Sequence, residues 1–171
     1  MKKTERGIDS LFSFFNDDEK LPYLANHKVI AQFNKDACVA ACCRMILNDS
    51  GLDAPESYLA SALQTKRGAF LSRVPQVLKD FRLENRYQWR SNLVFEDLQR
   101  AIKCGKAIVS VKRQNAFYGH ALIVDDILDT EVRLRDSLPI GQGTSYAVNV
   151  ENFLEVWLSY KLTGSGVIYV R

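Results

Sequence analysis

Hydrophobic and polar residues follow different periods in the two halves of the chain. In the first half, the run Cys38–Leu47 has almost no polar face, which predicts a buried helix. The polar residues and the glycine at 48–51 end that run, and residues of these types commonly terminate helices. The further segments with helical patterns are Glu56–Leu63, Val74–Leu78 and Glu96–Lys103.

The second half changes to short apolar runs separated by polar turns, which is typical of strands. Near its end, Asn149 caps a last amphipathic helix that carries Phe153 and Trp157. The predicted strands are one early segment, Arg86–Arg90, and then Ala107–Val111, Ala121–Ile127, Val132–Leu134 and Gly166–Val170. Helices come first and an antiparallel sheet second, which predicts an α+β fold with segregated layers.

A polar stretch precedes this pattern. It contains one apolar patch, Leu11–Phe15, which predicts either a short helix docked on the body or an exposed arm. We therefore predict an N-terminal arm over residues 1–28 and one folded domain over residues 29–171.

Composition restricts the class of protein. The 171 residues suit a single domain, and 47% hydrophobic with 25% charged residues is typical of a globular protein. A net charge of +3, with basic residues scattered among acidic ones, argues against a nucleic-acid partner. No run of ~18 apolar residues predicts a membrane span. Lys2 and Lys3 precede the polar stretch Thr4–Ser10, so we expect no signal peptide and a cytoplasmic location.

The four cysteines are too few for a disulfide scaffold in a chain of this length. No second pair of ligands follows with zinc-site spacing, so we predict reduced thiols, no metal and no cofactor. Cys38 is the candidate nucleophile, because unpaired N–H groups and the macrodipole at a helix start lower the pKa of a thiol. Asn34 and Asp36 are the predicted caps, although the charge of Asp36 opposes thiolate formation. The alternative is a cysteine that only packs in the core, which we predict for Cys42 and Cys43.

A cysteine nucleophile needs a base, and His120 opens an apolar strand at the rim of the predicted sheet. His27, in the polar arm, is the weaker candidate. Asp136 ends the next strand, so a hairpin would return it towards His120, where it could orient the imidazole. The alternatives are a surface histidine at a turn and an aspartate that starts a turn. Gln32, six residues before Cys38, could donate its amide to an oxyanion.

Together these positions resemble the layout of papain-like cysteine peptidases. The segment Gln32–Leu47 is similar to the catalytic helix of the double-glycine leader peptidases, the papain-like domains fused to bacteriocin-exporting transporters. Gly119–Val124 resembles the His-bearing strand of that family. The residues Arg135–Ser137, followed by Gly141, Phe153 and Trp157, resemble the C-terminal part of that family. The resemblance therefore covers roughly residues 30–171.

The resemblance implies a papain-like fold, with an N-terminal helical part whose catalytic helix packs on a C-terminal antiparallel sheet. It implies Cys38 as nucleophile, His120 as base, Asp136 as its orienting acid and Gln32 as oxyanion donor. Two positions depart from the family, which usually has Gly after the Cys and Pro after the Asp. This chain has Val39 after Cys38 and Ser137 after Asp136. If the side chain of Val39 points into the cleft, we expect it to tighten the requirement for glycine immediately before the scissile bond.

The implied activity is a cysteine endopeptidase that cuts after a small residue, Gly-Gly by resemblance, in a protein or peptide substrate with a glycine-rich cleavage site. Because no transporter follows, we expect a toxic effector, delivered into a target cell by a specialised secretion system and accompanied by a cognate immunity or inhibitor protein. The alternatives are a stand-alone leader peptidase, a papain-fold deamidase or acyltransferase, and a module that binds glycine-rich peptides without cutting them.

Overall fold

An antiparallel β-sheet forms the centre of the fold. The computed structural model describes residues 14–64, 70–83, 86–113, 119–159 and 162–170. Its strands are β1 (Lys20–Leu21), β2 (Tyr87–Leu93), β3 (Ala107–Val111), β4 (His120–Ile127), β5 (Glu131–Asp136), β6 (Thr144–Asn149) and β7 (Gly164–Tyr169). They pair antiparallel in the order β1-β6-β5-β4-β3-β7-β2. The strand β4 therefore lies in the middle of the sheet, with β5 beside it.

Helices cover this sheet on both faces. They are α1 (Cys38–Asp49), α2 (Glu56–Leu63), α3 (Val74–Lys79), α4 (Phe95–Ile102) and α5 (Val150–Trp157). Short 3₁₀ turns at Asp17–Glu19 and Leu71–Arg73 precede β1 and α3. None of the helices in the described ranges is long and apolar enough to cross a membrane.

Alternate residues of β4 belong to two different hydrophobic clusters. Ala121 and Ile123 pack with α1, α2 and α3 in the first core cluster, whereas Leu122 and Val124 pack with α4 and α5 in the second. Successive side chains of a strand point to opposite faces of its sheet. The uninterrupted apolar run of β4 is therefore what a strand buried on both faces requires, and the architecture has three layers.

The first helix, α1, is apolar on nearly every side because it lies between β4 and α2. Ala40, Ala41, Cys42 and Cys43 are all fully buried. A helix in such surroundings shows no polar stripe, which explains why its sequence lacks the usual amphipathic pattern.

The cap predicted for α1 is wrong. Ala37 is the N-cap residue, and it provides no side-chain hydrogen bond to the helix. The side chain of Asn34 instead accepts a hydrogen bond from the backbone N–H of Asp36 at 2.9 Å, which closes a turn before the helix begins. The first turn of α1 is therefore left without a side-chain cap.

The α+β class agrees with this architecture, and the structure adds a layer of helices that the sequence order did not indicate. The sequence analysis assigned no strand to Thr144–Asn149 or to Lys20–Leu21, and these form β6 and β1. In β6 the buried residues are Tyr146, Ala147 and Val148, which follow a glycine-containing turn, so the apolar pattern extends over few residues.

Residues 14–28 run along the folded body. Phe14 and Phe15 are buried in the second core cluster, and β1 pairs with β6. The first three residues of the predicted apolar patch, Leu11–Ser13, lie outside the described residues. The domain boundary at residue 28 stays a prediction.

Candidate active site

Three segments of the chain meet at one end of the sheet. Cys38 is the first residue of α1, His120 is the first residue of β4, and Asp136 is the last residue of β5. The strands β4 and β5 form an antiparallel hairpin, which returns the end of β5 to the start of β4. The structure thus brings these three predicted site residues together.

The imidazole of His120 interacts with Asp136 and with Cys38. Its Nε2 lies 2.7 Å from Asp136 Oδ1, and both side chains are buried. A carboxylate only accepts hydrogen bonds, so Nε2 carries the proton, which leaves Nδ1 for the interaction with the Cys38 thiol. Asp136 is itself fixed, because Tyr146 Oη donates to Oδ2 at 2.7 Å and the backbone N–H of Leu138 donates to Oδ1 at 2.9 Å.

The electrostatics of this cluster favour an ion pair. Burial alone would raise the pKa of Cys38, but hydrogen bonding with His120 and its charge, together with the backbone N–H groups of Ala121 and Val39, lower that pKa below its ordinary value. Burial would lower the pKa of His120, but the Asp136 carboxylate and then the thiol raise it to about 10. Between these two pKa values the pair consists of a thiolate and an imidazolium.

Gln32 joins the same end of the sheet through Ser137, the residue after Asp136. Its Nε2 donates to the backbone carbonyl of Asn34 at 2.7 Å, and its Oε1 lies 2.7 Å from Ser137 Oγ. A carbonyl can only accept a hydrogen bond, so the amide has one orientation and Ser137 must be the donor. The backbone N–H of Gln32 also donates to the Ser137 carbonyl at 3.1 Å. The fourth predicted site residue is therefore attached to the end of β5.

Comparison with known families identifies the protein class. The sequence model of the Peptidase_C39-like family matches residues 24–165, most of the chain. The chain belongs to the Peptidase_C39-like family. It is therefore a papain-like cysteine peptidase, a hydrolase, and the resemblance to double-glycine leader peptidases noted in the sequence is confirmed.

Solved structures of such peptidases share the fold. A protein from Bacillus anthracis described as a C39-like peptidase matches with a TM-score of 0.67 at 18% identity, over 90% of this chain and 98% of that one. The peptidase domain of Streptococcus ComA, a bifunctional ABC transporter involved in quorum sensing, matches with a TM-score of 0.65 at 16% identity, over 85% and 98%. A double glycine motif protease from an AMS/PCAT transporter, in complex with the leader peptide, matches with a TM-score of 0.63 at 15% identity, over 88% and 96%. The predicted papain-like α+β fold is confirmed. None of the curated proteins compared matches this chain.

A second buried polar cluster fixes β5 of this C39-like peptidase to α1. Arg135 is fully buried, with Nη2 2.6 Å from Asp49 Oδ2 and Nε 2.9 Å from Asp125 Oδ1. Asp49 ends α1 and Asp125 lies in β4, so the arginine joins three elements. Tyr23 Oη also donates to Asp125, at 3.0 Å. Asp125 therefore binds Arg135 and Tyr23, while Asp136 binds the imidazole.

The remaining candidate residues lie in other surroundings. His27 is exposed, and its Nδ1 lies 3.6 Å from Asp49. Cys42 and Cys43 are fully buried, as predicted, and burial raises the pKa of Cys43 to about 12. Cys104 is exposed. Over the ranges that the structure describes, no three His, Cys, Asp or Glu side chains are placed to hold a metal ion together.

Sequence reasoning missed three residues around this site. Tyr146 lies on β6, the strand that was not predicted. It shares one face of that strand with Thr144 and Val148, at the two-residue spacing of a strand. Arg135 was noted only as a neighbour of Asp136, because a charged residue in a strand that alternates charged and apolar residues gives no signal of burial. Phe14, within the apolar patch of the arm, stacks on His120. Its contact could not be predicted, because the two residues are far apart in the chain.

Proposed function

We propose that Cys38 is the nucleophile of this peptidase, that His120 is its general acid and base, and that Asp136 orients the imidazole. The observation that carries the proposal is the buried imidazole of His120, which is hydrogen-bonded to Asp136 at 2.7 Å and interacts with the Cys38 thiol. A lowered thiol pKa beside a raised imidazole pKa is the electrostatic arrangement that activates a cysteine.

In the proposed mechanism, the Cys38 thiolate attacks the carbonyl carbon of the scissile peptide. The oxyanion accepts hydrogen bonds from the backbone N–H of Cys38, one of the unpaired groups of the first helical turn, and from Nε2 of Gln32. The Nε2 group has two N–H donors, and the bond to Asn34 uses one of them. The C–N bond breaks as the imidazolium Nδ1 gives its proton to the leaving amine, which leaves a thioester on Cys38.

The second half of the cycle uses the neutral imidazole as a base. Nδ1 of His120 takes a proton from water, and the hydroxide formed attacks the thioester carbonyl. Collapse of this intermediate releases the new carboxyl terminus and returns the thiolate beside an imidazolium. The hydrogen bond at Nε2 to Asp136 holds the ring in the one tautomer that serves both steps.

For the substrate, we propose a peptide bond after Gly-Gly. Support comes from the family and from the structural relative described as a double glycine motif protease bound to a leader peptide. Val39 gives no support, because its side chain is buried in the first core cluster. Its bulk therefore contributes no narrowing of the cleft, and any glycine requirement must come from other groups.

The same chemistry serves the two biological roles expected from the sequence. A toxic effector would cut a glycine-rich loop of a target protein and would be bound by a cognate immunity protein. A leader peptidase would cut a precursor after its leader. The identity of the cleaved protein separates these roles.

The first test measures cleavage of peptides with a central Gly-Gly, in which each glycine is replaced by alanine in turn. The second test maps the new protein N-termini that the enzyme produces in a bacterial lysate. We expect cleavage after Gly-Gly by the native chain, none by Cys38→Ala, and native activity in the matched control Cys104→Ala, which removes an exposed thiol. One added methyl group in a tight subsite should reduce kcat/KM about tenfold or more.

Cleavage by Cys38→Ala would show that Cys38 is not the nucleophile. An uncut substrate in which glutamine has become glutamate would instead indicate a deamidase.

A further inference from the structure

The N-terminal segment contributes an aromatic ring to the candidate active site. The ring of Phe14 lies face to face with the imidazole of His120, with centroids 4.9 Å apart and planes 19° from parallel. Phe14 is only 8% exposed, so it covers that face of the imidazole. This segment precedes residue 24, where the match to the Peptidase_C39-like family begins.

The next residue supports the other member of the acid–base pair. Phe15 packs edge-on against Tyr146, with ring centroids 5.9 Å apart, and Tyr146 donates its hydroxyl hydrogen bond to Asp136. Phe14 thus contacts His120 directly, and Phe15 is connected to Asp136 through Tyr146.

The segment is attached to the folded body at two places. Arg113, two residues beyond β3, donates from Nε to the backbone carbonyl of Phe14 at 2.6 Å and from Nη2 to Asn16 Oδ1 at 3.3 Å. Further along the segment, β1 pairs with β6, the strand of Tyr146. Residues 14–21 are therefore attached to the folded body at two places, and Phe14 is itself one of the attached residues.

We propose that residues 14–21 are a part of the active site and that Phe14 is a positioning residue, which holds the His120 imidazole and keeps water from its hydrogen bond to Asp136. The inference rests on the proposed function only in that it takes His120 as the acid–base group. The titratable groups that face His120 are Asp136 from β5 and Cys38 from α1, with the Tyr146 hydroxyl behind Asp136.

Two physical effects give Phe14 this role. An aromatic face attracts a cation, so the ring favours the imidazolium form of His120. It also fills space in which water would compete for the hydrogen bond and weaken the attraction between imidazolium and carboxylate. Without the ring, the imidazolium form of His120 is less populated. The Cys38 thiolate then loses part of the positive charge that stabilises it.

The test measures alkylation of Cys38 by iodoacetamide across pH, by mass spectrometry in a Cys104→Ala background. This readout needs no peptide substrate, so it remains valid if the proposed peptidase specificity fails. Phe14→Ala and Phe14→Leu should move the apparent pKa of Cys38 alkylation upward by about one unit, equivalent to a tenfold change in the thiolate equilibrium. Phe14→Tyr, which keeps a ring over the imidazole, should restore the native profile. With a cleavable peptide, kcat should fall about tenfold while KM changes little.

The matched control is Phe95→Ala, which removes a half-buried ring packed on Phe153 and Trp157 in the same core cluster. It should lower the thermal stability without moving the alkylation profile. Arg113→Gln, which removes the attachment and leaves every ring in place, should shift the profile in the same direction as Phe14→Ala. Native profiles in both folded Phe14→Ala and Phe14→Leu would overturn the proposal, and so would an equal shift in Phe95→Ala.

Discussion

The hydroxyl of Ser137 should control the oxyanion chemistry through the amide of Gln32. The two side chains are buried, and the Ser137 hydroxyl donates to Gln32 Oε1 at 2.7 Å. Replacement of Ser137 by Ala removes the donor and leaves an amide oxygen buried without its partner. The amide then keeps a single side-chain anchor, the bond from Nε2 to the carbonyl of Asn34.

The magnitude follows from the two consequences of this loss. A buried acceptor left without a partner costs about 1–3 kcal/mol of stability. Removal of a whole oxyanion donor typically costs about 10²–10³ in kcat. A donor that is present but poorly oriented loses part of that, so Ser137→Ala should lower kcat about tenfold, with a small change in KM.

The assay is a double-mutant cycle on peptide hydrolysis with Ser137→Ala, Gln32→Ala and the double variant. If Ser137 acts through Gln32, its replacement should have no further effect on kcat once Gln32 is alanine. The matched control is Ser145→Ala, since Ser145 Oγ donates to the carbonyl of Tyr23 at 2.9 Å and not to the Gln32 amide. Equal losses of kcat from Ser137→Ala in both backgrounds would show that Ser137 does not act through Gln32, as would native kcat in the single variant.

Three further predictions concern the neighbouring groups. Asp136→Ala should lower kcat about a hundredfold, because the imidazole that acts as acid and base loses the partner that orients it. It should also move the descending limb of the pH–rate profile below about 10, because His120 loses the carboxylate that raises its pKa; unchanged turnover would place the acid elsewhere. Arg135→Met should destabilise the fold by about 3–5 kcal/mol in urea denaturation, because two carboxylates lose their buried partner, and native stability would contradict this. Cys38 should react with iodoacetamide near neutral pH much faster than the exposed Cys104, and equal rates would count against an activated thiolate.

The sequence predicted those features that depend on neighbouring residues. An apolar run with no polar face gave the buried helix that Cys38 begins, and the apolar strand after His120 gave β4. The hairpin that returns Asp136 to His120 followed from two adjacent strands, and it is present. The roles of these side chains in catalysis stay a prediction for the experiments above.

Features that depend on distant residues could not be predicted. The buried Arg135 joins carboxylates from α1 and β4, and its charge in the sequence is indistinguishable from that of a surface arginine. The cap of α1 was assigned to polar residues by their usual preference, but Asn34 uses its side chain in a turn of its own. The contact of Phe14 with His120 joins residues more than a hundred positions apart, and no local pattern records it.

The two halves of the candidate site come from opposite faces of the sheet. Side chains of β4 alternate, so His120 lies on the same face as Leu122 and Val124, the face of the second core cluster, and Phe14 of that cluster covers it. Cys38 begins a helix that packs in the first core cluster, on the other face. Thiol and imidazole therefore meet only because both cores end at the start of β4. The position of α1 against the sheet then sets the distance between them. Apolar packing on β4 holds that helix, and the ion pair of Arg135 with Asp49 adds a link at the last residue of α1.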